Sequence, residues 1–470
     1  MVAAMFGTIT LPLWLFWLIL LFAAVTFASH FFIPPVRWFL RRRMERAVAE
    51  LNKRLERPIQ PFKLARRHDM IQRLIYDPQV IAAVAHHARE TGVREDVAFS
   101  EAKRYAREIV PSFSASAYFT FAIRAARFLS RQLFHVRLVR IDNDALAGID
   151  PEATVVFVMN HRSNMDYVLV TYLAAERSAL SYAVGEWAQV WPLSRLLRAM
   201  GAYFIRRRSR NTLYRRVLAR YVQLAIENGV TQAIFPEGGL SLDGRVGDAK
   251  LGLLSYIVQG VDLSKRDVVF IPVSLNYDRV IEDRILIEAG RTGNRRFRGS
   301  FLTGTAFALR WLWRRVTLRA RRFGYAAVSF GRPVSLKELR ATDRGEVTAV
   351  ATHLMNRIRE NVPILPVPMV AAALLDGARS HDAVRDWISG RVPAWIDAAY
   401  PVHLRRGSIE RTTDAGIDML KLRRLVEERE DGTLILAEKS DRVLQFYAAS
   451  APLIDAALQE PEPAETAVGS

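Results

Sequence analysis

Between residues 115 and 340 short β-rich runs alternate with amphipathic helical stretches, and this alternation constrains the fold more than any other feature. Residues 154–159 form an unbroken apolar run, followed by a helical pattern over 165–179. The pattern repeats with runs at 181–184, 203–205, 231–235, 268–275 and 325–330, and with helices predicted over 193–200, 213–227 and 251–258. Short apolar runs without polar alternation read as strands buried on both faces. Strands separated by helices of this length argue for an α/β layer with a largely parallel sheet. In such sheets chemistry gathers where strand ends enter helices. Residues 41–114 read as a helical subdomain, 343–450 as a helix-dominated region, and the Ala/Glu/Pro-rich stretch 451–470 as a disordered tail.

Three segments stand at such strand ends. Asn160-His161-Arg162-Ser163-Asn164-Met165-Asp166 follows the first run. A histidine paired with a carboxylate is the core of base catalysis, the imidazole taking a hydroxyl proton while the carboxylate fixes its tautomer. On one continuous helix, residues five apart lie about 140° apart, too far round to meet. His161 is therefore predicted in the turn before a helix, Asp166 in its first turn, and Ser163 or Asn164 at the N-cap. A capped turn with a bystander histidine is the plain alternative. After the run at 203–205 come Arg206, Arg207 and Arg208, whose planar forks suit phosphate, or which form a solvated basic loop. After the run at 231–235 come Pro236-Glu237-Gly238-Gly239, with Arg245 and Lys250 beyond. The glycines let a backbone approach a ligand, or simply make a turn. No Gly-Lys-Ser/Thr ends the segment, so it is not a P-loop.

Order and spacing of these blocks over residues 154–282 resemble the glycerophosphate acyltransferase superfamily, with its His-x4-Asp, Phe-x-Arg and Glu-Gly blocks and a strand containing proline. The fourth block is Phe270-Ile271-Pro272-Val273-Ser274-Leu275-Asn276-Tyr277-Asp278-Arg279-Val280-Ile281-Glu282. Its end, with Gly331-Arg332-Pro333-Val334, looks most like the glycerol-3-phosphate and dihydroxyacetone-phosphate acyltransferase branch. The resemblance implies an acyltransferase-like α/β domain with His161 as general base oriented by Asp166. It implies that Arg206, Arg207, Arg245 and Lys250 hold an acceptor phosphate and that Glu237 and Gly238 shape the acceptor site. Arg162, Ser163, Asn164, Phe204, Gly239 and Pro272 complete the implied substrate site. Leu240 and Leu242 stand where this branch usually carries arginines. The implied reaction passes a fatty acyl group from acyl-CoA or acyl carrier protein to glycerol 3-phosphate, with no metal, cofactor or covalent enzyme intermediate. Dihydroxyacetone phosphate or a lysophospholipid are alternative acceptors, and an inert lipid-binding scaffold is the alternative of another class.

The 470 residues carry 67 Lys+Arg against 48 Asp+Glu, a formal charge of +19, and no cysteine. The missing cysteine excludes disulfide scaffolds, thiolate metal sites and a thiol nucleophile. The charge suits a nucleic acid, an anionic membrane or phosphorylated substrates; no nucleic-acid module accompanies it, and no nucleic-acid partner is expected. Residues 290–324 hold ten arginines and no acid, with Leu309, Leu312, Trp313, Val316, Ala320 and Phe323 on one helical face. That pattern reads as a helix lying on a membrane surface, or as one packed on the domain with a solvated basic face.

Residues 11–33 contain no Asp, Glu, Lys or Arg. As a helix this stretch is about 34 Å long, enough for a ~30 Å hydrocarbon layer. Pro34-Pro35 is expected to end it, and Arg37, Arg41, Arg42, Arg43 and Arg46 follow, placing the remainder on the cytoplasmic side. A signal peptide fits less well, because no basic residue precedes the apolar run. A buried core helix and an in-plane anchor remain as alternatives to a membrane-spanning one.

Overall fold

The computed structural model describes residues 12–173, 178–185, 189, 193–206, 209, 211–293, 322–342 and 344–452, without the side chains of 23–41 and 44. The chain divides into two compact units, Met1–Ile59 and Gln60–Ser470. The first is built on α1 (Leu13–Asn52), a helix of 40 residues whose backbone continues through Pro34-Pro35. The predicted stop is thus corrected: the φ that each proline fixes is compatible with a helix, and the lost N–H and the crowding of the carbonyl four residues back do not end this one. Trp14, Phe16, Trp17 and the run Leu18 to Phe22 are exposed on it. Among the described residues no helix is long and apolar enough to cross a membrane, so the spanning anchor expected over 11–33 finds no support there.

The strands of the second unit are β1 (His135–Arg140), β2 (Thr154–Met159), β3 (Ser181–Gly185), β4 (Tyr203–Ile205), β5 (Gln232–Ile234), β6 (Val268–Tyr277), β7 (Tyr325–Phe330) and β8 (Val334–Ser335), with a hairpin of β9 (Val426–Glu428) and β10 (Leu434–Leu436). Its longer helices are α2 (Arg67–Ile75), α3 (Pro78–Thr91), α4 (Glu95–Ile109), α5 (Ile123–Leu133), α6 (Met165–Leu173), α7 (Thr212–Glu227), α8 (Leu251–Gln259), α9 (Asp283–Thr292), α10 (Val347–Glu360), α11 (Pro366–Leu375), α12 (His381–Asp397), α13 (Ile409–Leu422) and α14 (Asp441–Ala448). The main sheet runs β1-β7-β6-β2-β5-β3-β4, with β8 also on β6. Strands β2 to β6 are mutually parallel, as the strand–helix alternation predicts. β7 and β8 run antiparallel to β6, and β1 is parallel to β7.

Residues alternate across β2, and that alternation sorts the core into two layers. Val155, Phe157 and Met159 pack with Leu169 and Val170 of α6 and with α11 to α14 on one face. Val156 and Val158 pack with α7, α8, α10 and the helices α2 to α4 on the other. The helix following β2 therefore covers one face, and the helix following the adjacent β5 covers the opposite face. Where connections diverge in this way a crevice opens at the carboxyl ends of the two strands. His161 follows β2 and Glu237 follows β5, so both belong to that crevice.

Candidate active site

The turn between β2 and α6 is built around one carboxylate. Asp166, fully buried, accepts through Oδ2 from His161 Nδ1 at 2.9 Å, Arg162 N at 2.7 Å and Ser163 N at 3.0 Å. Its Oδ1 accepts from the Tyr277 hydroxyl at 2.6 Å. Ser163 Oγ accepts from Met165 N at 3.1 Å and so starts α6, settling which of the two candidates is the cap. With Nδ1 as donor to the carboxylate, the other ring nitrogen, Nε2, carries the lone pair. The ring lies 4.2 Å from the Phe235 ring at an interplanar angle of 31°, with Tyr167 meeting it edge-on at 5.5 Å. Aromatic walls on two sides and a tether at Nδ1 fix its orientation. The predicted histidine–carboxylate pair across a turn is what the chain forms.

Glu237 sits between two strand ends. Its Oε1 accepts from His161 N at 2.9 Å and its Oε2 from Gly247 N at 3.0 Å, while the His161 carbonyl accepts from Ser241 N at 2.8 Å. It therefore braces the catalytic turn against the Glu-Gly loop. Burial pushes its carboxyl up to about 7, against the two backbone donors, which favour the charged form. Gly238 has φ +64°, and the Lys250 side chain passes 2.9 Å from where a Cβ would stand, so this glycine makes room for the lysine. Arg245 is exposed beside Asp243, and Gly239 lies in the same turn.

Arg162 is the cation at the centre. It is buried, stacks 5.2 Å from the Phe446 ring, and donates through Nη1 to the Gly244 carbonyl. Among the described residues its Nε and Nη2 have no hydrogen-bond partner. Two buried guanidinium donors without acceptors are costly, and an anionic oxygen would satisfy both. Asn164 and Ser163 are occupied from below: Glu282 accepts from Ser163 Oγ at 2.8 Å and from Asn164 Nδ2 at 3.0 Å.

Other predicted residues lie apart. Phe204 is buried in the core on edge strand β4, with the Arg198 guanidinium 4.9 Å over its ring. Arg206 is three strands from β2, about 14 Å at ~4.8 Å per strand. Its fork is taken by the Glu108 carboxylate of α4, at 2.8 Å through Nε and 2.5 Å through Nη2. Arg207 lies outside the described residues, as does most of the basic segment 290–324. Pro272 is paired with Val158 inside the sheet, in the gap on β6 between the stretches paired with β8 and β7, where a missing N–H costs no ladder bond. Leu240 and Leu242 pack against the core and supply no charge.

Sequence reading missed the roles of Tyr277, Asp278 and Glu282. The available signal was an acid-rich stretch immediately after the longest buried strand, at the same sheet edge as His161. Asp278 is buried and joins β6 to β7 and α11, its Oδ2 accepting from Tyr325 N at 2.7 Å and its Oδ1 from Val367 N at 3.0 Å. Burial pushes its carboxyl up to about 7 from an ordinary 3.8. Such a group holds its proton more tightly folded than unfolded, so its contribution to stability is greatest at low pH. That contribution falls as pH rises from about 4 through 7. Asp278→Asn is expected to flatten the pH dependence of the urea midpoint between pH 5.5 and 8, relative to the unaltered chain. Parallel midpoint profiles for the two proteins contradict this account.

Comparison with known proteins agrees with the geometry. The family model described as Acyltransferase matches residues 140–276, and that described as Glycerol-3-phosphate acyltransferase C-terminal region matches residues 308–448. A glycerol-3-phosphate acyltransferase of Xanthomonas campestris pv. campestris is 26% identical over 370 residues, covering 73% of this chain and 40% of that protein. One of Pseudomonas putida is 28% identical over 417 residues, covering 82% of this chain and 48% of that protein. The chain thus spans less than half the length of these curated relatives. The solved 1-acyl-sn-glycerophosphate acyltransferase of Thermotoga maritima is 19% identical, with a TM-score of 0.30 over 55% of this chain and 83% of that one. The acyltransferase match and the match to the C-terminal region follow one another along the chain, and with these relatives they support its place in the glycerol-3-phosphate acyltransferase branch of the acyltransferase superfamily.

Proposed function

We propose that this chain transfers a fatty acyl group from an acyl thioester, carried by coenzyme A or acyl carrier protein, to the sn-1 hydroxyl of glycerol 3-phosphate. The observation that carries this reading is the His161–Asp166 pair, fixed in the crevice where the β2 and β5 connections diverge. His161 Nε2 takes the hydroxyl proton as the oxygen attacks the thioester carbonyl, and the tetrahedral intermediate collapses with release of the thiolate. The imidazolium returns its proton to the thiolate, so that thiol and ester leave a regenerated site. Asp166 stabilises the imidazolium without taking its proton. Arg162, with its two unpartnered donors, is the residue best placed to meet the acceptor phosphate. Arg206 has its fork on Glu108 and is the weaker candidate.

A second acceptor class has its own observation. Leu240 and Leu242 pack against the core and leave the Glu-Gly loop without the two arginines that the family pattern carries there, which weakens its hold on a small phosphorylated acceptor and brings a lysophospholipid into consideration. A panel of purified-chain assays with glycerol 3-phosphate, dihydroxyacetone phosphate, lysophosphatidate and glycerol separates these readings. Turnover with glycerol 3-phosphate and a roughly tenfold or larger rise of its KM in Arg162→Met are expected, since charged hydrogen bonds are worth about 1.5–3 kcal/mol. Turnover only with acceptors lacking phosphate overturns the role given to Arg162. We also place the protein at a membrane surface, because large apolar side chains of α1 from Leu13 to Phe22 are exposed.

A further inference from the structure

Helix α5 and the π-helical segment Ala117–Ala122 that leads into it present an outward face that the core does not explain. Phe121 and Phe128 are 58% and 55% exposed, and Leu129 is 38% exposed. Arg124, Arg127 and Arg131 are exposed among them, and no acid occurs between Ala115 and Phe134. The opposite face is fully used: Ile123, Ala126, Ser130 and Leu133 are buried. On helical spacing Phe121 and Phe128 share one stripe, with Arg124 and Arg131 beside it. Two of the arginines are held in place by α6, Arg131 Nε donating to the Tyr172 hydroxyl at 3.0 Å and both Arg127 and Arg131 lying 5.6 Å over the Tyr172 ring.

The topology sets where this face stands. β1 follows α5 and runs antiparallel to β2, because it is parallel to β7, which is antiparallel to β6. The carboxyl end of α5 therefore lies at the sheet edge where β2 ends in His161. α5 also packs directly on α6, the helix that carries Asp166.

We infer that the outward face of α5 docks on a bilayer containing anionic phospholipid, with the two phenylalanines among the acyl chains and the arginines at the phosphates. The inference rests on the proposed membrane reading and specifies its surface. A row of cations without an acid repels a second copy of the same face and the arginine-rich segment 290–324, and is neutralised by lipid phosphate. It turns the catalytic edge of the sheet toward the phase that takes an acylated product.

The chain has no cysteine, so a single introduced thiol carries one label. Phe128→Cys, Phe16→Cys and Ile396→Cys are made in the full chain and labelled with a polarity-sensitive fluorophore; Ile396, 56% exposed on α12, is the control. With vesicles of phosphatidylcholine containing about one third phosphatidylglycerol, the label at 128 is expected to shift to the blue and that at 396 to stay unchanged. The shift should shrink severalfold when Arg124, Arg127 and Arg131 are all replaced by Gln. A response at 16 but none at 128 overturns this surface and leaves the membrane reading standing. No response at either position removes both. A shift at 128 that grows with protein concentration without vesicles assigns the face to self-association and refutes the lipid assignment.

Discussion

His161→Ala is expected to lower acyl transfer by about 10²- to 10⁴-fold, the range in which a positioned general base acts, while the protein stays folded. The structure separates the two effects. The imidazole is a proton acceptor whose orientation is set from three sides, by Asp166, Phe235 and Tyr167. Asp166 keeps its remaining three donors, Arg162 N, Ser163 N and the Tyr277 hydroxyl, so the turn is not left with a bare buried charge. Removing the ring leaves a small gap among aromatic side chains, which costs stability of the ordinary large-to-small kind, about 2–4 kcal/mol. Acyl-transfer kinetics measured beside circular dichroism and a urea titration check both halves. Near-normal turnover by the folded variant would sink the assignment of His161 as base. His161→Gln, which refills part of the gap without a base of suitable pKa, should recover stability but not activity.

The largest stability effect is expected at Gly244. Its φ is +86°, and a Cβ there would stand 1.8 Å from the Phe446 carbonyl oxygen and 2.8 Å from its carbon. These are backbone atoms of α14 and cannot rotate away. Either the Glu-Gly loop or the helix must shift, and the shift breaks what Gly244 holds. Its carbonyl accepts from Arg162 Nη1, and its N–H donates to Ser241 Oγ at 3.1 Å. Gly244→Ala is therefore expected to cost more than about 3 kcal/mol, combining left-handed backbone strain with overpacking. It should also raise the KM for the acceptor through Arg162. Gly252→Ala is the matched control: it lies in α8, nothing stands within 4 Å of its would-be Cβ, and it is expected to stabilise by about 0.5–1 kcal/mol. Equal urea midpoints for the two variants would show that α14 does not press on the loop.

The parallel part of the fold was legible because its strands are buried on both faces and so carry continuous apolar runs; β2, β3, β4 and β6 begin where their runs begin. β1 was not, because it is an edge strand with His135, Arg137 and Leu138 exposed, and its alternation with arginine reads as loop or helix. The spacing marked His161 and Asp166 as a possible pair across a turn, with a bystander histidine as the alternative, and it was the resemblance of the whole set of blocks that singled the pair out. The arginines were harder. Sequence placed Arg206 with the site because both follow strands, but lateral order in a sheet is a tertiary property, and β4 lies at the far edge. Arg206's partner Glu108 comes from a helix about one hundred residues upstream, with no local sign of the pairing. The roles of Tyr277 and Glu282 depend on β6 lying beside β2, which no pattern in either strand announces.

The contact between Arg162 and Phe446 joins positions far apart in synthesis order. A ribosome that has made every block of the motif, through Glu282, has still not made α14, whose Phe446 underlies Arg162 and whose Tyr447 hydroxyl donates to Asp283 at 2.6 Å. The turn that carries Arg162 is tied by Asp166, Glu237 and Glu282 before that point, but the aromatic wall behind its guanidinium is absent until residues 441–448 have docked.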